Sequence, residues 1–334
     1  MMRHPLRRGL LLGGFTLFLC AALTFGVAFA QRQFLSIGGG STGGTFNTFA
    51  SGIGDFLSQN IEGLNLTVEG SAGSAENIRR IQEGDMDMGI AFAGDAFLGY
   101  NGEGVFADGG PYDGIRALGF LYSAVSQLVT LEETGITSVD QLAGQNVAVG
   151  GAGSGTQLSL ERLLSTLGIY GEIHPVLVAG QNASDQLKNR QVQAYHALYG
   201  VPNATVTDTS STNNVVILST YDAAEEAGFF EQYPFYSEYV IPAGTFSGVD
   251  EDVKTFRDAG LWIVSAEMDE ETVYQLTKTI YDQAGLDHMN QVTSVASEMG
   301  PDNALVGVEI PLHPGAARYW EEVGVEIPEA AQPQ

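Results

Sequence analysis

Two short stretches of this chain carry residue types able to hold an anion without any charged side chain. Residues 38–45 read GGGSTGGT and residues 150–157 read GGAGSGTQ. Each follows a short apolar run and precedes a helix-like stretch, so each falls where a strand turns into a helix. A helix start presents unpaired backbone N–H groups and the positive end of the helix dipole, and glycines let a ligand approach the main chain. Ser41, Thr42, Thr45, Ser154 and Thr156 add hydroxyls that can donate to a carboxylate oxygen. Either turn alone is explained by ordinary capping of a helix by Ser or Thr. Two matched turns, facing one another, would clamp an anion.

The same glycines also fit two enzymatic motifs. Residues 38–43 match G-x-G-x-x-G, and Glu69 ends the next strand where a ribose-binding acid would stand. Gly39 to Gly43 fits G-x-S-x-G, with Ser41 as a hydrolase nucleophile. Against the first, the glycine run is degenerate, and residues 1–30 read as an export signal, which removes the chain from most nicotinamide cofactor. Against the second, His196 sits in an apolar strand and reads as core, while His174 and His288 read as surface. His313 belongs to PLHPGA, whose turn-forming Pro311, Pro314 and Gly315 suit a packed cap. Nothing places a base beside Ser41, so no catalytic residue is assigned. The acid-rich segments at 83–89 and 249–253 lack calcium-loop spacing, and neither a metal nor a cofactor is expected.

These turns sit in a pattern of alternating elements. FLSIG (34–38), LTVEG (66–70) and MDMGIAFA (86–93) read as strands, with helices at Thr45 to Gln59 and Ser74 to Glu83. Residues 94–114 are glycine-rich without periodicity and read as loop. A second series follows the extended stretch QLVTLEE (127–133). It comprises a short helix capped by Ser138, the strand NVAVG (146–150), a helix from Gly155 to Leu167, HPVLVAG (174–180), a helix through Ser184 to Arg190, and the strands VQAYHALYG (192–200) and VVILS (215–219). WIVSAE (262–267) and a helix at Glu270 to Ala284 come later. Strand and helix alternating at this pitch predict parallel sheets covered by helices. Each series opens with a strand, a glycine-serine-threonine turn and a helix, so the prediction is two similar lobes with a cleft at the carboxyl ends of their strands.

Residues 1–30 begin with Arg3, Arg7 and Arg8, continue into an apolar run and end at Ala28-Phe29-Ala30. That order reads as a secretory signal peptide cut after Ala30, which predicts a periplasmic protein. The run is nearly long enough to span a bilayer, so an uncleaved anchor is the alternative. Cys20, the only cysteine, lies in that segment, which leaves the rest of the chain without disulfides and dependent on a large core. With 14 Lys and Arg against 40 Asp and Glu, the net charge is −26. Such a surface repels phosphate backbones and excludes nucleic-acid binding. It also steers anions away, so capture of one must rest on local dipoles.

Six segments together resemble the TAXI-type solute-binding proteins of tripartite ATP-independent periplasmic (TRAP) transporters. They are IGGGSTGGTF (37–46), EGSAGSAENIRRIQEGDMDMGIA (69–91), GITSVDQLAGQNVAVGGAGSGTQ (135–157), LKNRQVQAYHALYGVPNATV (187–206), YPFYSEYVIPAGTF (233–246) and IPLHPGAARYWEEVG (310–324). The resemblance implies an α/β fold of the type II periplasmic binding protein class, two lobes joined by extended hinge strands with the ligand cleft between them. It implies a monomeric receptor, not an enzyme, that binds a small organic acid, glutamate-like or a C4 or C5 dicarboxylate, and delivers it to TRAP membrane subunits. A sensor module would share the fold. The expected lobes are 31–124 with 240–334, and 125–239. The implied binding residues are Ser41, Thr42, Gly43, Thr45, Ser71 and Gly73 in the first lobe, and Ser154, Gly155, Thr156, Gly200, Val201 and Pro202 in the second. Phe46, where relatives commonly carry Tyr, and the pair Tyr195-His196 depart from the usual pattern.

Overall fold

The computed structural model describes residues 32–40 and 44–334. The leader assigned to residues 1–30, and the binding roles given to Ser41, Thr42 and Gly43, lie outside the described residues.

The first series runs β1 (Gln33–Gly38), α1 (Thr45–Asn60), β2 (Leu64–Glu69), α2 (Ser74–Gln82), β3 (Met88–Phe92) and α3 (Ala93–Asn101). In α1 the buried Phe46, Phe49, Ala50, Ile53 and Leu57 recur at helical spacing, which seats one face on the sheet. β3 is buried at all five positions, as a strand covered on both faces must be. The chain then enters β4 (Ile115–Leu131), 17 residues long, several times the usual strand length of about 5–6.

The second series comprises β5 (Asn146–Ala148), α4 (Gly155–Thr166), β6 (His174–Val176), α5 (Gly180–Lys188), β7 (Ala194–Tyr199), α6 (Ala204–Thr212), β8 (Val215–Ile217), α7 (Tyr221–Glu226), α8 (Phe229–Gln232) and β9 (Ser237–Ile241). β10 (Val253–Ser265) leads back, and α9 (Glu270–Tyr281), α10 (Gln283–Val292) and α11 (Pro314–Glu322) complete the chain.

The strands join into one sheet of order β2-β1-β3-β10-β4-β7-β5-β6, with β8 on β4 and β9 on β10. β4 and β10 belong to both halves of it. The amino-terminal part of β4 pairs with β10, and its carboxyl-terminal part, from Val125, pairs antiparallel with β7 and then β8. β10 pairs first with β9 and then with β3. Two α/β lobes are thus strung on a pair of long antiparallel strands that cross where Arg257 faces Val125. The carboxyl-terminal helices return to the first lobe, where Trp320 Nε1 donates to Leu118 O at 2.7 Å and the Tyr281 hydroxyl to Phe120 O at 2.9 Å. His313 is buried there, its Nδ1 accepting from Gly315 N at the start of α11. No helix among the described residues is long and apolar enough to cross a membrane.

Several elements differ from the sequence reading. Residues 94–101 belong to α3 rather than to a loop; Gly94 hides the helix because it is there for close approach, an added Cβ meeting the Phe235 ring at 2.4 Å. β4 starts at Ile115 rather than Gln127, since burial on both faces erases the alternation that marks a strand. α5 starts at Gly180 rather than Ser184, α6 was not expected, and the last long helix divides at Asp282, whose carboxylate caps α10 through Gly285 N at 2.8 Å.

Candidate ligand-binding site

A cavity of about 300 Å³ lies between the lobes. Four helices begin on its wall. The residues preceding α1, α2, α4 and α5, namely Gly44, Gly73, Ser154 and Ala179, all line it. Two come from each lobe, and Gly44, Gly73 and Ala179 have no side chain that can cap its own helix. Only Ser154 does so, its Oγ accepting from Gln157 N at 3.2 Å. The first-lobe pair is held together by Ser71, whose Oγ accepts from Gly40 N at 3.1 Å and Gly73 N at 3.2 Å while its own N–H donates to Gly40 O at 3.0 Å. The second-lobe pair follows the parallel strands β5 and β6, tied by Val149 N donating to Val176 O at 3.0 Å.

Aromatic and hydroxyl groups complete the wall. Phe46 and Phe92 meet at 4.7 Å between ring centres, and Tyr122 lies edge-on to Phe46 and stacked on Phe49. The Tyr122 phenol is hydrogen-bonded to the Thr45 hydroxyl, and burial holds its pKa well above the ordinary tyrosine value. Tyr199, at the end of β7, sets its hydroxyl against the Gly180 amide at the start of α5; burial raises its pKa and that amide partly offsets the rise. The Ser74 hydroxyl accepts from Phe92 N at 3.1 Å, locking the start of α2 to the end of β3.

The second turn is anchored from behind by His196. Its Nδ1 lies 3.0 Å from Thr156 O and its Nε2 3.0 Å from Ser126 Oγ. A carbonyl can only accept, so Nδ1 carries the proton and Nε2 accepts from the serine. Burial pushes the imidazole pKa down to about 4, against the opposing effect of the Thr156 carbonyl, so the ring is neutral at physiological pH. Ser126 O in turn accepts from Thr255 Oγ1 at 2.8 Å, which links the first turn of α4 to both long strands.

Of the residues expected to bind, Thr45, Gly73, Ser154, Gly155 and Thr156 line the cavity. Ser71 does not; it organises the turn that does. Gly200, Val201 and Pro202 also lie off the wall, because β7 reaches the cavity with its last two residues, Leu198 and Tyr199. Sequence reasoning also passed over Ala72, Ser74, Phe92, Tyr122 and Ala179. Phe92 and Tyr199 could have been found as the last residues of strands that precede helices or turns. Glu69, the acid of the dinucleotide motif, is paired with Arg80.

Behind the wall lies a buried charged cluster. Arg162 of α4 donates to Asp95 Oδ1 of α3 at 2.7 Å and to the Tyr236 hydroxyl at 2.9 Å. Asp258 of β10 accepts from Gly94 N at 3.3 Å and Ala259 N at 2.8 Å through one oxygen. Burial, then the proximity of Asp95, pushes its carboxyl up to about 8, with Arg162 and the two amides opposing.

Two α/β lobes on shared long strands, with a cavity at the carboxyl ends of strands from both, are the architecture of a type II periplasmic binding protein. The model of the NMT1-like family matches residues 37–324, and the chain belongs to that family. It is similar to a solved protein of Bordetella bronchiseptica RB50, at 16% identity over 90% of this chain and 86% of that one, with a TM-score of 0.52. It is also similar to the alkanesulfonate-binding protein SsuA from Xanthomonas axonopodis pv. citri bound to MOPS (14% identity, 88% and 91% covered, TM-score 0.49). A third is PhnD1 from Prochlorococcus marinus in complex with methylphosphonate (10% identity, 78% and 91% covered, TM-score 0.48). At these identities the likeness concerns the fold.

Proposed function

We propose that this chain is an extracytoplasmic solute receptor. Its lobes close on a small organic acid, glutamate-like or a C4 or C5 dicarboxylate, and it delivers that acid to the membrane subunits of a TRAP transporter. The observation that carries this reading is the convergence of four helix starts, two per lobe, on one interlobe cavity. Each carboxylate held by helix-start N–H groups gains roughly 1.5–3 kcal/mol per charge-assisted bond, enough for micromolar capture after entropic costs. Because half of the contacts come from each lobe, only the closed form makes all of them, and ligand shifts the population toward closure. Ser41, Thr42 and Gly43, between Gly40 and Gly44, are assigned to the same grip. No bond is made or broken, so no catalytic group is required.

Calorimetry on residues 31–334 with a panel of small carboxylates, sulfonates and phosphonates tests the reading. Micromolar binding of a carboxylate is expected, with Ser154→Ala combined with Thr156→Val weakening it about tenfold or more while the fold is kept. A chain that binds no small anion would end the proposal. Uptake by reconstituted TRAP membrane subunits that depends on this chain tests the transporter assignment separately.

A further inference from the structure

The receptor reading leaves open whether the solute carries an amine. We infer that it does not: the cavity selects small acids without an ammonium group, such as plain or keto dicarboxylates, over the amino acids of the same carbon skeleton. This rests on the receptor reading and narrows it. None of the described residues lining the cavity is charged. No described wall residue offers a bound ammonium a carboxylate.

The surroundings make matters worse for a cation. Four helix starts aim the positive ends of their dipoles inward, and what attracts a carboxylate repels an ammonium. The acids that adjoin wall residues are not themselves part of the wall, and Asp95 Oδ2, which has no hydrogen-bond partner among the described residues, is buried behind Gly155. Glu76 Oε2 accepts from Ala72 N at 2.9 Å, and Asp95 is paired with Arg162 at 2.7 Å. Asp258, its pKa pushed up to about 8, is mostly protonated at neutral pH. An aromatic cage is the remaining way to hold an ammonium. Here Phe46 packs tilted against Phe92 and edge-on to Tyr122, and one face of Tyr122 is covered by Phe49 at 5.0 Å. The wall therefore offers a carboxylate many donors and an ammonium only neutral oxygens.

Matched pairs test this: succinate against aspartate, and glutarate and 2-oxoglutarate against glutamate, by calorimetry at about 0.15 M salt so that the acidic surface is screened. The amine-free member should bind at least about tenfold more tightly, the consequence of burying an unpaired charge. Ala152→Asp, which places a carboxylate on the wall at an exposed loop position, should narrow the ratio by weakening the amine-free member more. Equal affinities within a pair, or tighter binding of the amino acid, would overturn the inference and leave the receptor reading standing. Failure of both members of every pair to bind would overturn this inference, and only failure across the wider panel of carboxylates, sulfonates and phosphonates would remove the receptor reading as well.

Discussion

The cavity and the cluster behind it adjoin at Gly155 and treat charge in opposite ways. Among the described residues the cavity wall carries no charge and gathers four helix starts, whereas the cluster packs Asp95, Arg162 and Asp258 together. A receptor spends part of its working life empty, and a bare cationic side chain in a closed cavity would then lack a counter-charge. Helix-start amides need none, because their partial charge belongs to the backbone and is tolerable when hydrated. In the cluster the charges are matched by the protein itself: Asp95 of the first lobe pairs with Arg162 of the second at 2.7 Å. Full charges are placed where lobe meets lobe, and dipoles where lobe meets solute.

That contrast breaks most visibly at Arg162. Arg162→Leu removes the cation and leaves Asp95 buried without its partner, so unfolding stability should fall by about 3–5 kcal/mol in a denaturant titration. Changing both partners to apolar residues, Asp95→Leu with Arg162→Met, should recover most of that loss. If the single variant costs no more than the double, the pair is not what joins α3 to α4.

Asp258 sharpens the comparison through pH. Its carboxyl is pushed up to about 8 in the folded chain, while an unfolded aspartate titrates near about 3.9. Between those values the folded state holds a proton that the unfolded state has released. Stability from this group is therefore fully present at the acid end, declines as pH rises from about 4 to about 8, and levels off above. The decline should be on the order of a few kcal/mol, and Asp258→Asn should remove it. An unchanged slope in the variant would mean that Asp258 is not the group that holds the proton.

The glycine turns and the helices after them were legible because their signals are local: a helix start, a capping hydroxyl and an apolar stripe fall within a dozen residues. Tyr122 was not, since it sits in the part of β4 where both faces are buried and Ser123, Ser126 and Gln127 interrupt any apolar run. The start of α5 is hidden because Gly180 reads as the end of the strand segment HPVLVAG, although it opens the fourth helix on the cavity. Nothing local could disclose the Asp95 to Arg162 pair, which joins residues 67 positions apart on different lobes. The turn contacts were read too far along β7, at Gly200 to Pro202, because the length of a strand is set by its partner and β4 releases β7 after Tyr199.

Gly155 belongs to both regions, which makes it the finest test of how they fit. One side of its backbone lines the cavity, and on the other an added Cβ would stand 2.2 Å from the Phe92 ring and 2.8 Å from Asp95 Oδ2. Gly155→Ala would favour the helix intrinsically, by about 1 kcal/mol at an interior position and less at a first turn. Overpacking against Phe92 should outweigh that gain, giving a net loss of about 1–3 kcal/mol in denaturant. Phe92 is itself part of the wall, so the displaced ring should also narrow the cavity and weaken solute binding, whereas Arg162→Leu acts on the lobe contact alone. Adding Phe92→Leu to Gly155→Ala should restore stability by making room for the methyl group. If Gly155→Ala leaves both stability and affinity unchanged, the lobes do not meet as closely at this point as the geometry requires, and the division between a dipole-lined cavity and a charge-lined joint loses its boundary.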